Sequence, residues 1–285
     1  MQYYAFLRMS ETLGDKFERI ISWHENQLQD KAMCKAVHEN FKGCKIVGNH
    51  GYIHFLEILN LYPLNSEAKS NFVPDTIIAP GDITNKEISN YLSYVPVYTG
   101  APLRYGYLYD ISQNLSDLSS HYMDVLLLLP YWEDSAIELI CRSYPVLSKI
   151  YPHIYVRSHP ASSLDNIISN LPEYIDKTRL IFRNDCSLND LLKKKYIVIS
   201  SSSGSILEAA ANKLPAVTLA NLNTITFNLF PKYHMNASNV LKCYDDNSLY
   251  LALQSINSSK YQPNTDIFKK FICPVNDDTI GIYLE

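Results

Sequence analysis

Apolar and polar positions follow two periods along this chain, and from residue 125 onward the two take turns regularly. Runs of β-branched residues or leucine at 125–129, 153–157, 180–182, 196–200, 216–219 and 240–243 have the length of strands and are too short for helices. Between them, apolar residues spaced three and four apart predict helices over 135–150, 164–171, 188–195 and 205–212. Strand then helix, repeated, predicts a doubly wound α/β domain with parallel strands and right-handed crossovers.

The first half shows the same alternation more sparsely. A polar helical lead is expected over 10–21 and a helix over 28–40, then a strand at 45–48 and the turn Asn49-His50-Gly51. A polar loop follows at 63–71, then a strand over 74–79 that ends in Pro80-Gly81-Asp82, a helix over 83–92 and a short strand at 95–100. Residues 100–121 lack a clear period and carry Pro102, Gly106 and several Ser and Asn, the composition of a connector. The expected domains are 1–105, a linker over 106–124, and 125–285.

Chemistry concentrates where predicted strands end. The run Tyr196-Ile197-Val198-Ile199 passes through Ser200, Ser201, Ser202, Ser203 and Gly204 into Ser205-Ile206-Leu207-Glu208-Ala209, which is rich in helix formers. The serines therefore fall at a turn opening a helix, where free N–H groups, hydroxyls and a glycine suit a phosphate. Serine is also a good helix cap, and that alone accounts for an isolated cluster of this kind. Upstream, the strand over 153–157 runs into Arg157-Ser158-His159-Pro160. Two strand ends carrying polar groups in one α/β unit predict a ligand crevice at the carboxyl edge of the sheet.

Composition narrows the class. The 285 residues are 47% hydrophobic and 19% charged, as in a globular protein with a sizeable core. A net charge of −4 with no basic stripe argues against nucleic acid as a partner. The longest apolar run, at 125–129, is far too short to span a bilayer, and the N-terminus has no signal-peptide pattern. The expectation is a cytoplasmic protein, with membrane association no more than peripheral, at the inner face. The 6 cysteines are scattered without C-x-x-C pairs and are expected to be reduced and buried. The 22 tyrosines suit packing first, and a sugar or partner surface second.

The Arg157-Ser158-His159-Pro160 turn, the downstream serine cluster and the following Glu208-Ala209 and Lys213-Leu214-Pro215 resemble bacterial glycosyltransferases of the GT-B type. The resemblance is to groups that build capsule and lipopolysaccharide glycans: sialyl- and polysialyltransferases, β-Kdo transferases and CDP-glycerol glycerophosphotransferases. It covers roughly residues 125–217 well and the first half loosely. It implies a GT-B-like fold of two Rossmann-type domains facing a cleft. The N-terminal half has three expected strands, fewer than such a domain carries, so it is abbreviated or belongs to a longer polypeptide. It further implies that His159, Pro160, Ser202, Ser203 and Ser205 contact the phosphate of a CMP- or CDP-linked donor, with Arg157 beside them. Glu208 would hold ribose hydroxyls. For each a plain alternative exists: a loop histidine, an Arg157 ion pair with Asp185 or Asp134, an exposed helix acid.

Transfer also needs a carboxylate that takes the acceptor's proton or attacks the anomeric carbon. Glu25, in Trp23-His24-Glu25-Asn26, is the first choice, with the indole able to shield it, and surface-glycan transferases show a similar Trp-x-Glu element before a turn like Asn49-His50-Gly51. Asp82 and the pair Glu133-Asp134 compete, and His50 would steady a donor phosphate or carboxylate. The acidic-acidic-Gly motif of sialyltransferases is not found, which weighs against a sialyl donor. No Asp-x-Asp stands at a strand end, so nothing calls for a metal, and no cofactor is expected beyond the nucleotide-sugar substrate. The expected function is transfer from a CMP-linked acid sugar such as Kdo to a surface glycan or glycolipid acceptor. The alternatives are a CDP-glycerol-type polyol-phosphate transferase, a nucleotide-sugar epimerase, and a non-catalytic glycan- or partner-binding domain.

Overall fold

The computed structural model describes residues 2–13, 16–51, 58, 62–114, 124–227, 240–258 and 268–285. The chain forms two compact units, Met1–Asp110 with Lys269–Glu285, and Ile111–Phe268. The last residues thus return to the first unit, although the strand-helix alternation along the chain groups them with the second. Among the described residues no helix is long and apolar enough to cross a membrane.

In the first unit, helix α1 (Gln2–Leu13) precedes strand β1 (Arg19–Trp23), α2 (Leu28–Asn40), β2 (Lys45–Asn49), α3 (Asn65–Lys69), β3 (Thr76–Ala79), α4 (Asp82–Tyr91), β4 (Val97–Thr99) and α5 (Gly106–Asn114). The four strands are parallel and lie in chain order, β1-β2-β3-β4. Right-handed crossovers between successive parallel neighbours favour placing the connecting helices on one face, and α2 and α4 share one. There Ile46 packs with Met33, Cys34 and Val37 of α2, and Ile77 with Ile88 and Leu92. The opposite face is covered by returning chain, with Val47 and Ile78 packed against Ala101 and Tyr283. The backbone of that returning segment runs so close to Gly81 that an added Cβ would sit 2.3 Å from the carbonyl of Phe271.

This unit departs from the sequence pattern in three places. The helical lead expected over 10–21 gives way to α1, which ends at Leu13, and to β1, because the β-branched pair Ile20-Ile21 aligns with Ile46-Val47 to complete the sheet edge. Four strands are therefore present where three were expected. The polar loop over 63–71 contains α3, and the expected linker opens with α5; residues 115–123 lie outside those described.

The second unit contains β5 (Asp124–Leu128), α6 (Glu133–Ile150), β6 (Ile154–Arg157), α7 (Leu164–Ser169), β7 (Leu180–Phe182), α8 (Leu188–Leu192), β8 (Tyr196–Ser200), α9 (Ser205–Ala211), β9 (Ala216–Leu219), β10 (Val240–Cys243) and α10 (Asp246–Asn257). Short helices α11 (Phe268–Phe271) and α12 (Asp277–Gly281) follow in the segment that returns to the first unit. All six strands are parallel, in the order β10-β9-β8-β5-β6-β7. Residues 125–128 and 196–200 are buried on both faces, as continuous β-branched and leucine runs in a covered parallel sheet require. The chain adds strands outward from β5 to β7, then resumes on the other side of β5 with β8. The reversal falls between β5 and β8, where Leu128 lies opposite Ser200.

Candidate functional site

In an open parallel sheet, the loops that leave two strands flanking such a reversal diverge to opposite faces and open a crevice at the carboxyl edge. Here three loops meet that edge. After β5 the chain reads Leu129-Pro130-Tyr131-Trp132, after β6 Ser158-His159-Pro160, and after β8 Ser201 to Gly204. Their bases are tied: the Ser200 hydroxyl donates to the Leu128 carbonyl at 2.7 Å, and the Leu129 N–H donates to the Arg157 carbonyl at 2.9 Å. The structure thus brings His159, Pro160, Ser202, Ser203 and Ser205 to one edge of one sheet.

His159 is half-buried, and its Nδ1 accepts the Ala161 N–H at 3.2 Å. In the neutral ring the proton therefore sits on Nε2, a donor suited to an anion. Tyr131 stands edge-on to the His159 ring, centroids 5.2 Å apart, and edge-on to Trp132 at 4.8 Å. The two loops are stitched together, the Ser162 hydroxyl donating to the Tyr131 carbonyl at 2.6 Å and the Ser163 N–H to the Glu133 carboxylate at 2.8 Å. Glu133 is thereby occupied as a loop anchor. Arg157 donates to the carbonyls of Arg183, at 2.7 Å, and Cys186. Those bonds strap the loop beyond β7 to β6, and Asp185 pairs with Arg183 instead.

The serines divide their work. Ser202 Oγ accepts the Phe227 N–H at 2.8 Å, fastening the segment after β9. Ser203 Oγ accepts the Ser205 N–H at 3.3 Å and donates to Ser205 Oγ at 3.2 Å, so it starts α9 as a local cap. The Ser201 hydroxyl is buried without a hydrogen-bond partner. Gly204 is exposed, and a Cβ there would meet no atom within 4 Å, so the front of the turn is open to a ligand. Glu208 is half-buried on the first turn of α9.

The first unit also gathers polar groups at its carboxyl edge. Glu25 follows β1, His50 follows β2 and Asp82 follows β3. The Glu25 carboxylate accepts the Trp23 indole N–H and the Gln27 amide, each at 2.6 Å, which fixes its position while Trp23 stays exposed. Asp82 is exposed and accepts the Thr99 hydroxyl at 2.9 Å. The His50 ring is buried 5.9 Å from that of His24, a residue the sequence reading passed over. His24 is fully buried, and neither ring nitrogen has a hydrogen-bond partner. Burial holds its pKa down at about 4, so it is neutral at pH 7. The Tyr283 hydroxyl lies 2.6 Å from Asn49 Oδ1 and 2.8 Å from the Ala101 carbonyl, fixing the Asn49 side chain beside this pair. Tyr131, Trp132 and His24 share one overlooked signal: each lies within a few residues of the carboxyl end of a strand.

No family model matches the chain, and no curated protein matches it. Solved structures do. UDP-GlcNAc 2-epimerase from Methanocaldococcus jannaschii aligns with a TM-score of 0.61 at 11% identity, covering 99% of this chain and 79% of that one. UDP-N-acetylglucosamine 2-epimerase from Rickettsia bellii gives 0.59 at 14% identity, over 94% and 74%. MurG from Acinetobacter baumannii gives 0.56 at 12% identity, over 99% and 75%. At such identities the likeness shows the fold: two parallel-sheet α/β units of the GT-B-like type.

Proposed function

We propose that this chain is a nucleotide-sugar enzyme that holds the phosphate of a pyrimidine-nucleotide sugar at the carboxyl edge of its second sheet and transfers the sugar to a glycan acceptor. The observation that carries the reading is the open turn at Gly204, which follows β8 where the strand order reverses between β5 and β8, with His159 after β6 at the same carboxyl edge. Charge grows on the leaving phosphate during transfer, and fixed donors around it lower the barrier. The Nε2–H of His159 and the hydroxyls and backbone N–H groups of the serine turn supply them. Glu208 takes the ribose. Glu25, already oriented by Trp23 and Gln27, takes the acceptor proton, and His50 and Asp82 line the same sheet edge. The sequence resemblance favours a CMP-linked acid sugar, while a fold neighbour solved with UDP-GlcNAc and UDP brings in uridine donors.

A second reading is epimerisation of the nucleotide sugar itself, which several fold neighbours named as UDP-GlcNAc 2-epimerases favour. One experiment separates these. A thermal-shift panel of CMP, CDP, UDP, GDP and ADP is followed by incubation of UDP-GlcNAc and CMP-N-acetylneuraminate without acceptor. A pyrimidine-selective shift of a few degrees at about 100 times Kd, with no turnover of the free nucleotide sugar, supports transfer. Conversion of UDP-GlcNAc to its epimer without acceptor supports the second reading. No shift with any nucleotide overturns both.

A further inference from the structure

Trp132 is 70% exposed and Tyr131 51% exposed in the intact chain. Tryptophan is usually among the most buried of side chains on average, so two such rings side by side in water call for an occupant. Their loop is held from both ends by the Ser162 and Ser163 contacts, and the Tyr131 ring is braced between Trp132 and His159. The rings are therefore set in place before any ligand arrives, which reduces the ordering cost of binding. They also lie at the sheet edge that carries the open serine turn, on the loop that leaves β5, the strand paired with β8.

We infer that Tyr131 and Trp132 form the platform on which the sugar ring of the nucleotide sugar stacks. This rests on the nucleotide-sugar reading above. With the ribose assigned to Glu208 on α9, the other substituent of the phosphate is the sugar, and the loop facing the serine turn across the strand reversal is the one bearing these rings. A pyranose has one face of C–H groups and a rim of hydroxyls. Aromatic walls with a few polar groups at their edge suit such a ligand, the Tyr131 hydroxyl and the His159 ring being the polar groups here. The residues set how well a given sugar seats, and so contribute to donor specificity, while the phosphate contacts remain common to all donors.

The test is isothermal titration of the full chain and of Trp132→Ala and Trp132→Phe with UDP, UDP-GlcNAc, CMP and CMP-N-acetylneuraminate. Trp132→Ala is expected to weaken the nucleotide sugar about tenfold, the size of one aromatic stacking contact, and the bare nucleotide by no more than about twofold. Trp132→Phe restores most of the loss. Equal losses for nucleotide and nucleotide sugar, or no loss for either, overturn the inference while leaving the nucleotide-sugar reading intact. If the unmodified chain binds none of the four ligands, that reading falls and the inference with it. Urea midpoints of the variants, expected to match the parent because the ring is exposed, separate a lost contact from a misfolded loop.

Discussion

The Ser200 hydroxyl donates to the Leu128 carbonyl at 2.7 Å, so the two strands on either side of the chain-order reversal are tied by a side chain at their last residues. Both residues are buried. Ser200→Ala removes one buried hydrogen bond, and the expected loss of stability is about 1 kcal/mol. The urea midpoint should fall with an unchanged slope. A midpoint equal to the parent's shows that strand pairing alone satisfies the Leu128 carbonyl.

Gly204 separates a ligand site from a helix cap. Its φ of −61° suits any residue, and a Cβ would meet nothing within 4 Å. Gly204→Val should leave stability within about 0.5 kcal/mol while filling the space in front of the turn. Pyrimidine nucleotide affinity should then fall at least about tenfold. Unaltered affinity in a correctly folded Gly204→Val chain means that the turn does no more than start α9.

Glu25 has both carboxylate oxygens engaged, by Trp23 and Gln27, and an amide at this position cannot accept both bonds. For a general base, Glu25→Gln should lower kcat by about 10² to 10⁴ and leave nucleotide binding unaffected. Asp82→Asn is the comparison, since Asp82 stands at the same sheet edge. Full activity in Glu25→Gln together with an inactive Asp82→Asn transfers the role to Asp82.

Acid should destabilise the fold through His24. Burial depresses its pKa from 6.5 to about 4. The unfolded chain takes up this proton as the pH drops below 6.5, and the folded chain resists it until about 4. Stability from this group is therefore full above pH 6.5 and is lost through that window, to a total of about 3 kcal/mol. His38 works in the opposite sense. Its hydrogen bond to Asp75, at 3.2 Å, raises its pKa, so its contribution is full below 6.5 and is lost as the pH rises through the raised value. For Asp75, burial pushes the pKa up, but the bonds from His38 and the Ile46 N–H more than offset it, and its contribution is lost only as the pH falls below 3.8. Between pH 6.5 and about 5, above the carboxylate range, the slope thus belongs to His24, and below that Glu39 and Glu67, both held under 4.5, add to it. Urea titrations of His24→Phe should be flat between pH 6.5 and about 5 and keep only the carboxylate slope below that; a slope as steep as the parent's assigns the effect elsewhere.

Much of the second unit could be read along the chain. Strands at 180–182, 196–200, 216–219 and 240–243 stand where short β-branched runs meet turn residues, and α2 occupies the expected 28–40. These elements announce themselves because period and length agree locally. β1 did not: with Arg19 and Ser22 around it, the Ile20-Ile21 pair is too brief to outweigh a helical neighbourhood, and only its partners Ile46 and Val47 make it a strand. The return of 269–285 to the first sheet was illegible for a different reason. What receives it is the room left at Gly81 and Gly100, where added Cβ atoms would lie 2.3 Å from the Phe271 carbonyl and 3.2 Å from that of Thr279, and no local pattern encodes a space. Arg157 shows the same limit within the site. Its residue type and position suit a phosphate, yet its bonds to the Arg183 and Cys186 carbonyls depend on a loop folding back from β7.

The returning segment also sets an order of assembly. Val47 and Ile78 gain the Tyr283 part of their cover only after residues 269–285 have been made, whereas every described strand of the second sheet is complete by Cys243. A chain emerging from a ribosome can therefore finish its later-encoded half first, the reverse of the usual amino-to-carboxyl progression. The earlier half waits meanwhile with one apolar face only partly covered, so its vulnerability to chaperone capture and aggregation is set by how long the rest of the message takes to translate.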